Sequence, residues 1–434
     1  MTDFTVCTAT ELSDLYQSGS VSPVTVAEQI LAKIDQLNPV LNAFCYLDPD
    51  TTLDQARASA QRWQQNNPLS KLDGIPIGVK DLLLTQGWPT LKGSFDIDAD
   101  QPWLTDDPYV AKLRSAGAVF LGKTTTSEYG TRSDGYSARH GFTRNPWNIS
   151  KTAGGSSAGS AAAVSAGLGP ISIGSDYNGS ISRPSAFCGV VGFKPTGSTV
   201  IGPIANTVED CELVHGLSFD CVPLNLQKLR IAVWDDKKFN LHTDAFDLAI
   251  NTIKNYFSLN SVTPNIDLAR FTHWHSKILL SNNQQKFTQF SDIQKQELFG
   301  WASLDEIKNI DLTETSKAQF FLDQTCKHMK TMMQKYDIII TTASNITAVG
   351  VSTINPAVIY RNLPPDYSSL WNVTQQPAVT VPVGLVDGLP VGIQIVGAVG
   401  GDNVVLQFAR SIQPLFDKLR PNMFYKTSKR HSST

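Results

Sequence analysis

Residues 174–196 read GSDYNGSISRPSAFCGVVGFKPT and follow a short apolar run at residues 170–173. The apolar run predicts a buried strand, and the polar segment from Ser175 to Ser180 predicts a loop whose Asn-Gly-Ser end is a tight turn. Successive backbone N–H groups in such a turn form a concave site for an anion. The stretch therefore indicates an anion-binding loop at the end of a strand, with an ordinary turn as the alternative.

A lysine lies near the end of a second segment, GIPIGVKDLL at residues 74–83. Period-two alternation divides this predicted strand into two faces, Ile75, Ile77 and Val79 against Pro76, Gly78 and Lys80. The small neighbours on the second face leave room around the amine of Lys80. An unperturbed lysine is neutral in only about one molecule in 2,500 at pH 7, but burial can lower its pKa by several units. Taken alone, a lysine at a strand end is ordinarily a solvated surface charge.

A third segment, AGGSSAGSAAA at residues 153–163, places a glycine pair before a small-residue helix that we expect to begin near Ala158. Ser156 and Ser157 lie at this junction, where either could cap the helix. The segment also matches the GxSxG nucleophile elbow around Ser157. We reject the elbow because it requires a preceding hydrophobic strand, whereas NPWNISKTAG predicts a loop. We interpret the downstream histidines as surface or core residues: His215, His242, His273, His275 and His328.

Together these three segments resemble the lysine segment, the Gly-Ser-rich signature and the nucleophile loop of the amidase signature family, in the same order and spacing. Similarity extends to GKTTTSEY (122–129), HGFTRNPWN (140–148), WNVTQQPAVTVPVG (371–384) and DGLPVGIQIVG (387–397). The resemblance implies Ser180 as nucleophile, Ser156 as a bridging serine entered through a cis peptide bond, and Lys80 as general base. It also implies an oxyanion hole built from four backbone positions, Tyr177, Asn178, Gly179 and Ser180.

The function that this resemblance implies is hydrolysis of the C–N bond of a small or medium carboxamide. An acyl-Ser180 intermediate would give a carboxylate plus ammonia or an amine, without a metal or organic cofactor. Two alternatives stay open. One is a glutamine-hydrolysing, ammonia-producing component of an aminoacyl-tRNA amidotransferase-like complex, and the other is a catalytically impaired binding homologue.

The nucleophile loop departs from the family pattern at two positions. Asn178 replaces a usual glycine, and Ser182 replaces a usual arginine, with Arg183 one residue later. Because Asn adopts left-handed backbone angles better than most residues, we expect Asn178 to supply them in the turn. We expect the missing arginine to leave Asp176 without its ion-pair partner.

Two further departures lie outside this loop. Thr125 stands where the family usually has Asn, and Gln375 stands where the C-terminal pattern expects Gly. Because all three catalytic side chains are retained, we expect a specialised or narrow substrate pocket rather than loss of activity.

Residues 117–124, GAVFLGKT, match the phosphate-binding pattern GxxxxGK[ST]. Their four central residues favour a strand rather than a flexible loop, and no helical period follows. We therefore expect a buried strand ending in a polar turn.

The chain of 434 residues is 41% hydrophobic and 17% charged with a net charge of -3, as in an ordinary globular protein. Near-neutral charge gives no reason to expect nucleic acid or an anionic membrane as partner. The N-terminus resembles no signal peptide, and no run of 18 apolar residues occurs, so we expect a cytoplasmic location. Six cysteines without CxxC spacing predict reduced, mostly buried thiols. We expect a small-molecule amide substrate, and a homodimer is compatible with the sequence.

The predicted fold is α/β, a single-domain amidase signature fold with a mixed central β-sheet covered by helices on both faces, as the resemblance implies. Within residues 1–434 we expect N-terminal helices at about 1–65 and a signature core at about 70–215. A polar variable region at about 225–335 and C-terminal strands with a helix at about 336–420 complete the domain.

Overall fold

A mixed sheet of eleven strands organises the part of the chain that the structure, a computed structural model, describes. The described residues are 2–216, 223–234, 243–287, 290, 291, 295, 302, 304–309, 311–351, 367–416 and 418–421. The strands, in sheet order, are β1 (Phe44–Leu47), β3 (Val119–Thr124), β2 (Pro76–Lys80), β8 (Ile171–Asp176), β10 (Val200–Ala205), β9 (Val191–Lys194), β14 (Ala378–Val386), β15 (Leu389–Gly397), β13 (Ile338–Thr342), β11 (Ile231–Val233) and β12 (Leu259–Ser261).

The strand directions make this sheet mixed. The β3–β2–β8 group and the β13–β11–β12 group are parallel, whereas the remaining neighbours pair antiparallel. Two small two-stranded sheets stand apart from it, β4 (Tyr136–Ser137) with β5 (Gly141–Phe142) and β6 (Arg144–Asn145) with β7 (Asn148–Thr152). Parallel pairing requires crossover connections, and helices lie in them, Pro108–Ser115 between β2 and β3 and Thr243–Lys254 between β11 and β12.

Thirteen α-helices are described in the ranges above. They are α1 (Ala9–Gln17), α2 (Pro23–Leu41), α3 (Pro49–Gln64), α4 (Pro108–Ser115), α5 (Ala158–Ser165), α6 (Ser182–Cys188), α7 (Val208–His215), α8 (Thr243–Lys254), α9 (Leu268–Phe287), α10 (Leu304–Lys308), α11 (Leu312–Met332), α12 (Ser368–Val373) and α13 (Asp402–Ile412). Helix α2 begins with a side-chain cap: Ser22 Oγ accepts from Val24 N–H at 3.2 Å, and Pro23 occupies the first turn.

Alternation along the central strands separates two hydrophobic cores. On β13, Ile338 and Ile340 pack into the core that includes residues of α8 and α13, whereas Ile339 packs into the core that includes residues of α9 and α11. Since successive strand residues point to opposite faces, the sheet is covered by helices on both sides. The predicted α/β fold class is confirmed, and the segment boundaries within the domain stay a prediction.

The phosphate-binding pattern at residues 117–124 falls on β3, whose six residues are all buried. The amine of Lys123 donates to Leu83 O at 2.5 Å, Thr85 Oγ1 at 2.9 Å and Thr90 Oγ1 at 2.8 Å, all within the protein. The predicted strand is confirmed. The segment before Ser157 was expected to be a loop, but its residues 148–152 form the short, largely exposed strand β7. This strand is polar, so it does not supply the hydrophobic strand of an elbow.

The described cysteines are free thiols. Cys188 and Cys211 are buried, whereas three others are only half-buried, Cys7, Cys45 and Cys326. Cys221 lies outside the described residues. No helix within the described ranges combines the length and the apolar character needed to cross a bilayer.

Candidate active site

Lys80 ends strand β2, and its side chain is completely buried. Its Nζ lies 2.7 Å from Ser156 Oγ, 2.8 Å from Ser157 Oγ and 3.0 Å from Ser175 Oγ. Burial lowers the pKa of Lys80 to about 7, and the negative charge of Asp176 opposes this shift. A lysine with this pKa is about half neutral at pH 7, so it can accept a proton there.

The junction before α5 places two serine hydroxyls on the lysine amine. The Gly155–Ser156 peptide bond is cis, as the family resemblance predicts. Ser157 occupies the N-cap position of α5 without making a side-chain cap bond to the helix. The prediction of a simple capping role for Ser157 is therefore wrong. Its hydroxyl is instead held between Lys80 Nζ and the Ser175 carbonyl oxygen, which lies 3.2 Å away.

Ser180 lies in the loop between β8 and α6, and it is half-buried. Its carbonyl oxygen accepts from Ser157 N–H at 3.2 Å, which brings the loop beside the serine pair under Lys80. Within the described part of the chain, the Ser180 hydroxyl is not hydrogen-bonded to Ser156. The fold thus places all three predicted catalytic residues close together, but no hydrogen bond links the hydroxyls of Ser180 and Ser156.

The carboxylate of Asp176 organises this loop from beneath. It is fully buried, and its oxygens accept from the N–H groups of Gly179 and Ile181 at 2.7 Å each and from Ser182 N–H at 3.3 Å. As expected, no ion pair to Asp176 occurs among the described residues, but the carboxylate is not left unsatisfied, because backbone N–H groups of its own loop bind it. Three such bonds hold a buried carboxylate well.

These contacts bear on the four backbone positions predicted for the oxyanion hole. Gly179 N–H is already donated to Asp176, so it does not point to an open site. The N–H groups of Tyr177, Asn178 and Ser180 donate to no acceptor among the residues that the structure describes. Three free donors of the same loop remain for an anion.

The left-handed residue of the turn is Gly179, with φ +85, and not Asn178. The expectation that Asn178 supplies left-handed angles is therefore wrong: the tight bend falls one residue later, on a true glycine. A Cβ on Gly179 would also overlap the side chain of Ser368 at the start of α12. Asn178 is consequently a half-buried residue in an ordinary backbone conformation.

A buried chain of hydrogen bonds occupies the position of the missing arginine. Ser182 Oγ accepts from Gln394 Nε2 at 2.7 Å, and Gln394 Oε1 accepts from Trp371 Nε1 at 2.7 Å. All three side chains are almost completely buried. These hydrogen bonds connect the first turn of α6, through Ser182, to the centre of β15 and to α12.

The two other departures differ in their surroundings. Gln375 is exposed and has φ +61, which explains why a glycine is expected there. Thr125 is buried, and its hydroxyl lies 2.9 Å from Asn42 O and 2.6 Å from Thr143 Oγ1. Thr125 therefore supports the fold beneath the site, and none of these contacts links it to the catalytic residues.

The described histidines do not contribute to this site. His215 and His275 are buried, whereas His273 and His328 are exposed. Among the described residues, none of these four is hydrogen-bonded to Lys80, Ser156 or Ser180. His242 lies outside the described residues.

One group of potential metal ligands occurs among the described residues, Cys45, Asp81 and His140, with ligand atoms within 4.8 Å of one another. The positive charges of Lys123 and Arg139 both act on the Asp81 carboxylate. Because two resident cations already neutralise this group, it is a poor site for a further cation.

Sequence reasoning missed Ser175 and Gln394. Ser175 provides both its hydroxyl and its carbonyl oxygen to the Lys80 amine, at 3.0 Å and 3.3 Å. We expected it in the loop, but it belongs to β8 and follows the four buried residues 171–174, so the end of the apolar run was the available signal. Gln394 gave a clearer one, since it is a polar residue between isoleucines in a buried strand.

Comparison with known proteins agrees with the fold described above. The family described as Amidase matches residues 25–406. The A component of the glutamyl-tRNA(Gln) amidotransferase of Chlamydia pneumoniae is 29% identical, over 93% of this chain and 94% of that protein. Fatty acid amide hydrolase of Medicago truncatula is 30% identical, over 94% of this chain and 77% of that protein. The crystal structure of a bacterial aryl acylamidase of the amidase signature family superposes with a TM-score of 0.82 at 23% identity, covering 94% of this chain and 96% of that one.

The fold and the family match identify a hydrolase of carboxamide C–N bonds. The chain belongs to the amidase family, because the family match spans most of its length and the relatives align almost end to end.

Proposed function

We propose that the protein hydrolyses a small or medium carboxamide through an acyl-serine intermediate, with Ser180 as nucleophile, Ser156 as proton relay and Lys80 as base. The observation that carries this proposal is the fully buried Lys80 amine 2.7 Å from Ser156 Oγ, beside the loop that holds Ser180. A buried neutral amine is a base of suitable strength near pH 7.

In the first half of the reaction, Ser180 Oγ attacks the amide carbonyl carbon. Its proton passes to Ser156 Oγ, and the Ser156 proton passes to Lys80 Nζ. This step needs a rotation of the Ser180 side chain toward Ser156, since catalytic hydrogen bonds often form only with substrate present. The free N–H groups of Tyr177, Asn178 and Ser180 stabilise the tetrahedral oxyanion.

Collapse of the tetrahedral intermediate breaks the C–N bond. The leaving nitrogen takes the proton of Ser156 Oγ, which is replaced from Lys80 Nζ, and ammonia or an amine departs. Water then adds to the acyl-Ser180 ester with the same relay acting as base, which releases the carboxylate and restores the serine.

The similarity to an amidotransferase component favours one alternative, in which the ammonia comes from glutamine and passes to partner proteins. That alternative requires a glutamine preference and copurifying partners. A catalytically impaired binding homologue is the other, and it requires affinity for amides without turnover. Under the main proposal, the protein acts in the cytoplasm on a small-molecule amide and binds no nucleic acid. The proposal is also compatible with a homodimer.

A panel of amides scored for ammonia or amine release tests the proposal. We expect turnover of at least one simple amide, loss of that turnover in Ser180→Ala, and labelling of Ser180 by a fluorophosphonate. Ser198→Ala is the matched control, because Ser198 is exposed and lies outside the loop. Full activity of Ser180→Ala would remove Ser180 from the nucleophile role, and exclusive use of glutamine would favour the amidotransferase alternative.

A further inference from the structure

The turn at residues 127–130 borders the Ser156 hydroxyl. Gly130 N–H donates to Ser127 O at 2.8 Å, and Ser127 N–H in turn donates to Ser156 O at 3.4 Å. A Cβ on Gly130 would lie 3.4 Å from Ser156 Oγ and 2.9 Å from Leu82 Cδ1. Gly130 is thus a direct neighbour of the proposed relay hydroxyl.

Tyr129 precedes Gly130 in the same turn, and its aromatic side chain is half-buried. Its N–H is fixed to Lys92 O at 2.8 Å, and its ring packs against Phe290 with centroids 6.0 Å apart and planes tilted by 53°. Phe290 is also half-buried. The pair packs on an apolar cluster from the polar middle of the chain, Leu280, Ala302 and Ile307. A partly exposed aromatic pair beside a catalytic hydroxyl is a surface for an apolar ligand group.

The same middle region also reaches the nucleophile loop. Asn282, two residues after Leu280 on α9, has its Nδ2 at 3.4 Å from the hydroxyl of Tyr177. Helix α9 therefore contacts Tyr177 of the nucleophile loop through Asn282 and the cluster of Tyr129 and Phe290 through Leu280.

The chemistry assigns the amine part of the substrate to the Tyr129–Phe290 pair. The leaving nitrogen must take its proton from Ser156 Oγ, so it must come within hydrogen-bonding distance of that atom. The substituent on that nitrogen then lies toward Gly130, which borders Ser156 Oγ, and toward Tyr129, the residue before Gly130. We propose that Tyr129 and Phe290 bind the amine part of the substrate and select aryl or similarly bulky apolar amides. This inference rests on the proposed function.

The test compares substrates that share the acetyl group and differ in the amine, acetanilide and N-methylacetamide. In Tyr129→Ala and Phe290→Ala we expect kcat/KM for acetanilide to fall at least about tenfold, the scale of one lost aromatic contact. For N-methylacetamide we expect a change below about threefold, since the methyl group does not reach the pair. Phe320→Ala is the matched control, because Phe320 is 67% exposed on α11.

Each outcome separates this inference from the proposed function. If the wild-type protein turns over amides and both variants keep its acetanilide preference, the Tyr129–Phe290 pair does not select the amine, and the inference is overturned. If the losses instead follow acyl size across acetyl, butyryl and phenylacetyl anilides, the assignment to the amine side is wrong. If no amide is turned over and Ser180 is not labelled, the proposed function itself fails. Tyr129→Leu replaces Tyr129→Ala if the latter does not fold by circular dichroism.

Discussion

The Lys80 amine and the Ser156 hydroxyl are 2.7 Å apart in a region closed to solvent, where Lys80 is fully buried and Ser156 is 2% exposed. A charged ammonium is costly in such a place, and the hydroxyls around it compensate only in part. The protein therefore keeps its lysine close to neutrality at the pH at which a base is required. This relationship leads directly to a dependence of activity on pH.

We predict an acid limb in kcat/KM with an apparent pKa near 7. Because burial lowers the pKa of Lys80 to about 7 and the neutral amine is the active form, activity should rise as pH increases through this value and level off above it. Below the limb, kcat/KM should fall about tenfold per pH unit. The measurement is a pH profile on one neutral amide between pH 5 and 9.

The control for this profile is Lys80→Arg, which keeps the positive charge and cannot give up its proton. We expect kcat/KM to fall by about 10² to 10⁴ and the limb near pH 7 to disappear. An active Lys80→Arg protein, or a wild-type profile flat down to pH 5, would show that Lys80 serves only as a fixed charge.

The second prediction concerns the turn before the nucleophile. Gly179→Ala should lower kcat on the order of 10², comparable to losing an oxyanion donor, because Cβ meets Ser368 and φ is +85. Asn178→Ala is the control, and we expect its kcat to stay within about threefold, since its backbone is unconstrained. Steady-state kinetics on a short amide compares the two. Equal kcat values in both variants would contradict the view that Gly179 shapes the loop.

A third prediction addresses stability outside the site. Gln375→Gly should stabilise the protein by about 0.5 to 1 kcal/mol, because φ +61 costs a non-glycine residue about 1 to 2 kcal/mol and the added chain entropy of glycine offsets part of the gain. Gln65→Gly is the control at φ -87, where we expect a loss of about 0.5 to 1 kcal/mol. Urea denaturation measures both, and a destabilised Gln375→Gly would contradict a cost of the left-handed backbone at this position.

The sequence predicted best what depends on local pattern. The apolar runs that became β2, β3 and β8 were identified because their composition and punctuation define buried strands. The lysine and serine positions came from the family resemblance. Features that depend on tertiary contacts were missed or wrong, as with Asp176, whose partners are backbone groups that converge only when the turn folds.

The location of the strained residue shows the same limit. Asn178 and Gly179 are both suited to left-handed angles, so sequence alone could not decide between them, whereas the packing of Ser368 against the turn does. The middle of the chain gave little signal because α9 and α11 bury only narrow apolar stripes, including Leu268, Phe271 and Leu322, against the sheet.

The last prediction concerns Gln394, which we regard as a positioning residue for the nucleophile loop. Gln394→Met should break both of its hydrogen bonds and leave Ser182 Oγ and Trp371 Nε1 without their partner in the interior. We expect a loss of stability of about 2 to 4 kcal/mol, since each buried group left unsatisfied costs about 1 to 3 kcal/mol. The start of α6 should also shift, because the same Ser182 residue is bonded to Asp176 through its N–H. We therefore expect kcat to fall about tenfold with KM nearly unchanged.

Gln376→Met provides the matched control for Gln394→Met. Gln376 is also buried, and its Nε2 donates to Gly397 O at 2.9 Å, away from the loop. It should lose stability by a similar mechanism while kcat, measured at a temperature where both variants are folded, stays within about twofold of wild type. The comparison separates the effect of the position of the glutamine from the effect of losing a buried hydrogen bond. Only Gln394 is bonded to Ser182, so only its replacement can displace Ser180, which lies two residues before Ser182 in the chain. If both variants kept the wild-type kcat, the Ser182–Gln394–Trp371 chain would hold the sheet and helices together without positioning the nucleophile.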